Sequence, residues 1–134
     1  IVIRSSNIIN GKLDYKDLVR VDCPLKQNEI LNENDIIICA RNGSKALVGK
    51  CALFEKRDDI VTFGAFMAVF RTPFYAYVYY YLNTKYFRNK YVNDNSKQIN
   101  QVTQDTLKYA LIPLPPMAEQ QRIVDAINQI FAIL

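Results

Sequence analysis

The chain has 134 residues, 50% of them hydrophobic, with 17 Lys and Arg against 13 Asp and Glu for a formal charge of +4. That is one domain's worth of sequence, long enough to bury a core without metal or disulfide, and too apolar to be a disordered tail. No apolar run approaches ~18 residues, which excludes a membrane-spanning helix. The complete absence of His removes Ser–His and Cys–His catalytic pairs and every His-containing metal site.

In chain order, residues 1–4 read as a strand, and Ser5-Ser6-Asn7 supplies turn residues. Asn10-Gly11 is a turn signal. Residues 12–33 are polar and irregular. Ile36 to Cys39 is a short β-branched run, expected as a buried strand. It ends in the loop Ala40-Arg41-Asn42-Gly43-Ser44, where Asn and Gly tolerate positive φ. Residues 46–54 read as a strand with Gly49 marking a bulge. Residues 60–71 read as a third strand, apolar on both faces as a central strand would be.

Thr72-Pro73 opens a predicted helix, with Thr as N-cap and Pro at the first helical position. Phe74, Tyr77, Val78, Tyr81 and Leu82 follow at helical spacing. Lys85 to Val92 predicts a second short helix, and Asn93 to Ser96 a polar loop. Thr103 is a candidate cap for a helical turn around Asp105 to Leu107, and Tyr109 to Ile112 reads as a short strand. From Pro116 a helix is predicted to the end. Along it Ile123, Ile127, Ile130 and Leu134 step by 4, 3 and 4, a heptad-like seam flanked by Val124 and Phe131. Pattern alone allows two readings of that seam, a partner helix or packing on the helix's own domain.

Cys23, Cys39 and Cys51 are separated by 16 and 12 residues with no C-x-x-C pair. Such a scattered set reads as reduced, cytosolic and mostly buried. The first residues already read as structure, and the chain stops at Leu134 inside an apolar-periodic run. Both features read as a piece of a larger protein.

Catalytic signals are sparse. Leu114-Pro115-Pro116-Met117 superficially resembles the Asn-Pro-Pro-aromatic loop of amino-methyltransferases. Leu and Met cannot accept from an amine or stack on a base, so the segment reads as a helix entry. Asp14-Tyr15-Lys16 has the spacing of half a metal-dependent nuclease motif but lacks the upstream carboxylate. No G-x-G-x-x-G or Walker sequence occurs. The tyrosines crowded between Tyr75 and Tyr81 are a base-stacking platform in one reading and aromatic packing with exposed hydroxyls in the other.

The positive charge is local. Arg41, Lys45, Lys50, Lys56 and Arg57 stand against Glu55, and Lys85, Arg88, Lys90 and Lys97 against Asp94. Both stretches contain loops rich in Asn, Ser and Gln. Cations suit phosphates, and base edges are read by Arg, Lys, Asn and Gln. The candidate DNA-binding residues are therefore Arg41, Asn42, Gly43, Ser44 and Lys45, supported by Lys97 and Gln98. Arg4, Ser5 and Asn7 are weaker candidates, resting on polarity after a strand. The plainer alternative makes Gly43 and Ser44 a mere turn and Arg41 an ion-pair partner of Asp35.

The order of these signals resembles a known family. Asp35 to Ser44 followed by Val48-Gly49-Lys50, then Tyr79 to Asn83, Phe87-Arg88 and Gln98-Ile99-Asn100 carry the likeness. Its most specific part is Ile112-Pro113-Leu114-Pro115-Pro116 with Glu119-Gln120-Gln121-Arg122-Ile123-Val124. The pattern resembles the target recognition domain of the DNA specificity subunit of type I restriction–modification systems. It departs in having Asn34 where the family usually has Gly, and the family domain's further N-terminal segment is missing.

The resemblance implies an α+β fold, a curved mixed β-sheet with peripheral helices, followed by the start of a long coiled-coil-type helix. It implies a partial recognition domain over residues 1–114 and a spacer helix from 115 to 134. The implied function is sequence-specific binding of one half of a bipartite double-stranded DNA target, with no catalysis. Ile123, Ile127, Ile130 and Leu134 would face a partner helix of the same or a second specificity chain. Methyltransferase subunits and a restriction or motor subunit are the implied partners. S-adenosylmethionine, ATP and Mg would belong to them, no cofactor or metal to this chain, and the complex would be cytoplasmic. The alternative is a protein-interaction or dimerisation module acting through the C-terminal helix.

Overall fold

The computed structural model describes residues 1–92 and 101–134. Seven short strands, β1 (Val2–Ile3), β2 (Ile8–Ile9), β3 (Lys12–Leu13), β4 (Ile36–Cys39), β5 (Cys51–Leu53), β6 (Thr62–Phe63) and β7 (Met67–Phe70), precede the helices. The helices are α1 (Tyr75–Leu82), α2 (Lys85–Phe87) running into a π-helical turn (Arg88–Val92), α3 (Gln104–Tyr109) and α4 (Met117–Ile133). The mixed α and β class is as expected, with the strands laid out as three small sheets among the described residues.

Strand β4 is the centre of the molecule. It pairs antiparallel with β5 on one side and β7 on the other. All four of its residues are buried. Side chains alternate across a strand, so Ile37 and Cys39 enter one apolar cluster with Ile1, Ile3, Ile8 and Phe54. Ile36 and Ile38 enter a second cluster with Val78, Leu82, Phe87 and Val102. The N-terminal segment thus covers one face and the helices cover the other. An uninterrupted Ile-Ile-Ile-Cys run is what a strand buried on both faces requires.

Residues 60–71 do not form the single central strand expected of them. A turn closed by Met67 N donating to Gly64 O at 2.9 Å divides them. Strand β6 then pairs in parallel with β1, while β7 lies at the edge of the three-stranded sheet. The expected strand over 46–54 shortens to β5. Its start is a bulge, as Gly49 predicted: Gly49 N donates to Cys39 O and Cys39 N to Lys50 O, both at 2.8 Å, so two residues oppose one. Gly49 has φ +80°, and a Cβ there would lie 2.9 Å from Val92.

Segment 12–33, expected to be irregular, opens with the second strand of a hairpin. Asn10 and Gly11 both have positive φ, 51° and 76°, the combination a two-residue turn needs to match strand twist. Thr84 and Thr103 cap α2 and α3, accepting from Phe87 N at 3.2 Å and Thr106 N at 3.1 Å. Thr72 instead accepts from Phe74 N at 3.2 Å, closing a turn over Pro73, and α1 begins two residues later than the sequence predicts.

Tyr109 to Ile112 is not a strand: α3 runs through Tyr109, and the extended chain after it finds partners on tyrosines. Tyr81 Oη donates to Leu111 O at 3.0 Å, Tyr77 Oη donates to Pro113 O at 2.6 Å, and Leu111 N donates to Tyr91 Oη at 3.0 Å. Helix α4 starts from Pro116, and its buried Gln120 donates from Nε2 to Pro115 O at 2.8 Å, so the Pro-Pro segment is a helix entry as read. No helix among the described residues is long and apolar enough to cross a membrane.

Candidate nucleic-acid interface

The loop after β4 is held at its stem by backbone. Ala40 N and Arg41 N both donate to Phe66 O, at 2.9 and 3.1 Å, and Val102 N donates to Ala40 O at 2.7 Å. Arg41 and Gln101 form an isolated antiparallel bridge. Arg41 thus emerges between the 64–66 turn and the chain entering α3. Cys39 lies beneath it, its thiol 3.7 Å from Arg41 O, and burial pushes that thiol's pKa up.

Asn42 locks the next step. Its Oδ1 accepts from Ser44 N at 2.8 Å, and its Nδ2 donates to Ser5 Oγ at 3.0 Å. The second bond ties the loop to the turn after β1. Arg4, Ser5, Arg41, Asn42, Gly64 and Phe66 consequently line one open cleft of about 780 Å³. The structure therefore brings Arg4 and Ser5 together with Arg41, Asn42 and Gly43 around one cleft.

Individual candidates fall into different places within it. Arg41 is exposed and pairs with no carboxylate among the described residues. Asp35 is not its partner; Arg71 is, with Nε 2.8 Å from Oδ1 and a terminal nitrogen 3.0 Å from Oδ2. Arg4 reaches Asp17 at 3.2 Å with its side chain 41% exposed, while its Nε is buried without a partner.

Asn7 is a frame residue. It is buried, accepts from Arg4 N at 2.9 Å, and donates to Asp14 O and Asp17 O at 3.1 and 2.9 Å. Such an amide has no hydrogen left for a base edge. Gly43, Ser44 and Lys45 are exposed, and Gly43 lines the cleft beside Asn42. Lys97 and Gln98 lie outside the described residues.

Phe66 is the residue that sequence reasoning missed. It is 60% exposed, with the Arg41 guanidinium carbon 5.4 Å from its ring centroid. The signal was Gly64-Ala65 inside an apparent strand, since Gly in a strand pattern marks a break. A break puts the following aromatic on a turn.

The remaining motifs are accounted for locally. Asp14 Oδ1 accepts from Lys16 N at 3.0 Å, folding its carboxylate back into its own turn. Tyr15 lies under Arg57, whose guanidinium carbon is 4.1 Å from the ring centroid. No three His, Cys, Asp or Glu side chains among the described residues converge as metal ligands would. Cys39 and Cys51 are buried, and Cys23 is exposed.

Helix α4 rests on α1 through a stripe one step round from the expected seam. Gln120 and Val124 are buried, the Tyr80 hydroxyl bonds Asn128 Oδ1, and the Tyr80 and Phe131 ring centroids are 6.3 Å apart. Ile123 and Ile127 are half-buried along the flank. Ile130 and Leu134 are 59% and 92% exposed.

Guanidinium, hydroxyl and amide groups around an open cleft, beside an exposed ring, are groups whose chemistry suits phosphates and base edges. Residues 2–134 match the family described as the type I restriction modification DNA specificity domain, and the chain belongs to that family. The likeness carried by Asp35 to Lys50 and by Ile112 to Val124 is thereby borne out.

Among its relatives, the EcoKI specificity subunit of Escherichia coli K12 is 33% identical over 136 residues, covering 98% of this chain and 29% of that protein. The StySPI specificity subunit of Salmonella potsdam is 32% identical with the same coverage, 98% and 29%. The chain thus spans less than a third of the length of these type I restriction enzyme subunits. A solved chain of a type I R-M system shares the fold, with a TM-score of 0.69 at 23% identity over 96% of this chain and 29% of that one.

Proposed function

We propose that this chain is a sequence-reading module of a type I restriction–modification specificity subunit, recognising one half of a bipartite duplex target and catalysing nothing itself. The observation that carries the reading is the single cleft built by Arg4, Ser5, Arg41 and Asn42 from two distant segments, in a chain of the DNA specificity domain family. Arg41 forks onto a base edge. Arg4 and Lys45 meet phosphates, and Lys97 and Gln98 are further candidate contacts to the duplex, on residue type alone. Methyltransferase subunits, bound to the complete specificity subunit, bring S-adenosylmethionine; a motor subunit brings ATP and Mg.

The exposed ends of Ile130, Ile133 and Leu134 favour a companion role for α4, a partner helix along its open flank. The test uses the complete subunit with its methyltransferase partners and a fluorescent duplex. Binding should weaken steeply with salt, because each neutralised phosphate releases a counterion. It should also discriminate among duplex sequences. Salt-insensitive association, or equal binding to every duplex, would overturn the DNA reading and leave the helix-mediated interaction role.

A further inference from the structure

We infer that Phe66 is a positioning residue for base recognition: it holds the Arg41 guanidinium flat so that its outer edge addresses guanine in the major groove. The inference rests on the DNA-reading function proposed above and deepens it. Phe66 is 60% exposed, more than core packing explains. The Arg41 guanidinium carbon lies 5.4 Å from the centroid of its ring. The two residues are also joined through the backbone, Arg41 N donating to Phe66 O at 3.1 Å. Ring and guanidinium are therefore anchored side by side on paired main chain, both lining the cleft.

The chemistry follows from the geometry. A guanidinium on an aromatic face is held by attraction to the ring's negative face. Its N–H bonds lie in its own plane and stay available, and that planar fork matches guanine O6 and N7. An unsupported Arg side chain loses its rotamer freedom on binding, whereas one already held over a ring has less to lose. Among the described residues no carboxylate competes for Arg41, unlike Arg4 with Asp17 and Arg71 with Asp35.

The test takes the complete specificity subunit assembled with its methyltransferase subunits and selects from a pool of randomised duplexes. Parent, R41A, F66L and F66Y complexes are compared by sequencing the bound fraction, with thermal melting as the check that each is folded. R41A should lose a guanine preference at one position, by roughly 5- to 150-fold. F66L should relax that same guanine by roughly two- to fivefold and leave other positions alone, and F66Y, which keeps the ring, should restore it.

Replacing that guanine with 7-deazaguanine removes the N7 acceptor. The resulting penalty should be smaller for F66L than for the parent. F66L retaining the guanine preference that R41A loses would overturn the proposal, as would F66Y behaving like F66L. An R41A complex unchanged at every position sinks the proposal while the DNA reading stands. A parent that selects no sequence removes both.

Discussion

Asn42 donates from Nδ2 to Ser5 Oγ at 3.0 Å across 37 residues of sequence. This bond converts two separate polar segments into one surface, because the turn after β1 and the loop after β4 have no covalent reason to sit together. It also occupies part of the Asn42 amide, whose Oδ1 is taken by Ser44 N. Asn42 is thereby a latch between the two segments.

Removing either end of that latch should cost about 1 kcal/mol, the usual net worth of such a bond. A double-mutant cycle with Asn42→Ala and Ser5→Ala, read by urea denaturation, should show the two losses to be non-additive. Strict additivity would mean that the bond does not form in solution.

Arg41 and Lys97 should fail differently in the assembled complex. Arg41→Ala should cost ~1–3 kcal/mol in binding and relax preference at one base position. Lys97→Ala should weaken all duplexes alike and reduce the salt slope by about one. Competition binding over a salt series separates the two patterns, and parental behaviour from both variants would refute the surface assignment.

Arg71 is a stability residue. Asp35 is buried, with only 3% of its side chain exposed, while Arg71 is 41% exposed. Arg71→Met should leave that carboxylate without its cation and destabilise the fold by about 3 kcal/mol, the lower end for a broken buried pair, since water can reach one side. Chemical denaturation checks it; a loss below about 0.5 kcal/mol, as for an ordinary surface change, would show that the pair is not formed.

Tyr79 should give the fold an alkaline limit. It donates to Gly11 O at 2.8 Å, and burial, the largest cause, pushes its pKa from 10.0 up to about 12. A phenolate cannot donate, so the folded state holds this proton more tightly than the unfolded one. The contribution is complete below pH 10 and is lost as pH rises through 12. Urea stability measured across that range should fall for the parent and fall less for Tyr79→Phe; parallel curves would discount the bond.

Helix α4 has a domain face and an open face. Val124→Ala should destabilise by about 2 kcal/mol, because Val124 is buried on α1. Ile130→Asp should stay within about 0.5 kcal/mol in the isolated chain, since Ile130 is 59% exposed. If Ile130→Asp leaves both the thermal stability and the oligomeric state of the complete subunit untouched, as seen by melting and analytical ultracentrifugation, the open flank is not a helix-pairing surface.

The parts of this fold that were legible in the sequence are those set by chemistry within a few residues. Thr103 announces its cap, Asn10-Gly11 its turn, Gly49 its bulge, and Ile36 to Cys39 a buried strand. What was hidden depends on contacts distant in sequence. The parallel pairing of Val2–Ile3 with Thr62–Phe63 leaves no periodic trace in segments this short.

Likewise Asp35 takes Arg71 instead of Arg41 because β4 and β7 are neighbours, a relation set by pairing rather than by spacing. The segment after α3 looked like a strand because it is extended. Its partners are tyrosine hydroxyls from α1 and from the π-helical turn, which no strand pattern encodes. At the site, the cationic loop could be picked out by residue type. Phe66 could not, since an aromatic in an apolar run reads as core until the turn at Gly64 is known.

The Asn42–Ser44 turn and the bulge at Gly49 bracket the loop after β4, and the side chains of residues 43–46 are all exposed. Amino-acid exchange there leaves β4 and both apolar clusters untouched. Such a layout lets the loop sequence change while the scaffold is inherited. A lineage can drift through many loop sequences without passing through unfolded ancestors. A library randomised at positions 43–46 should accordingly remain mostly folded by limited proteolysis, whereas the same randomisation at 36–39 should not.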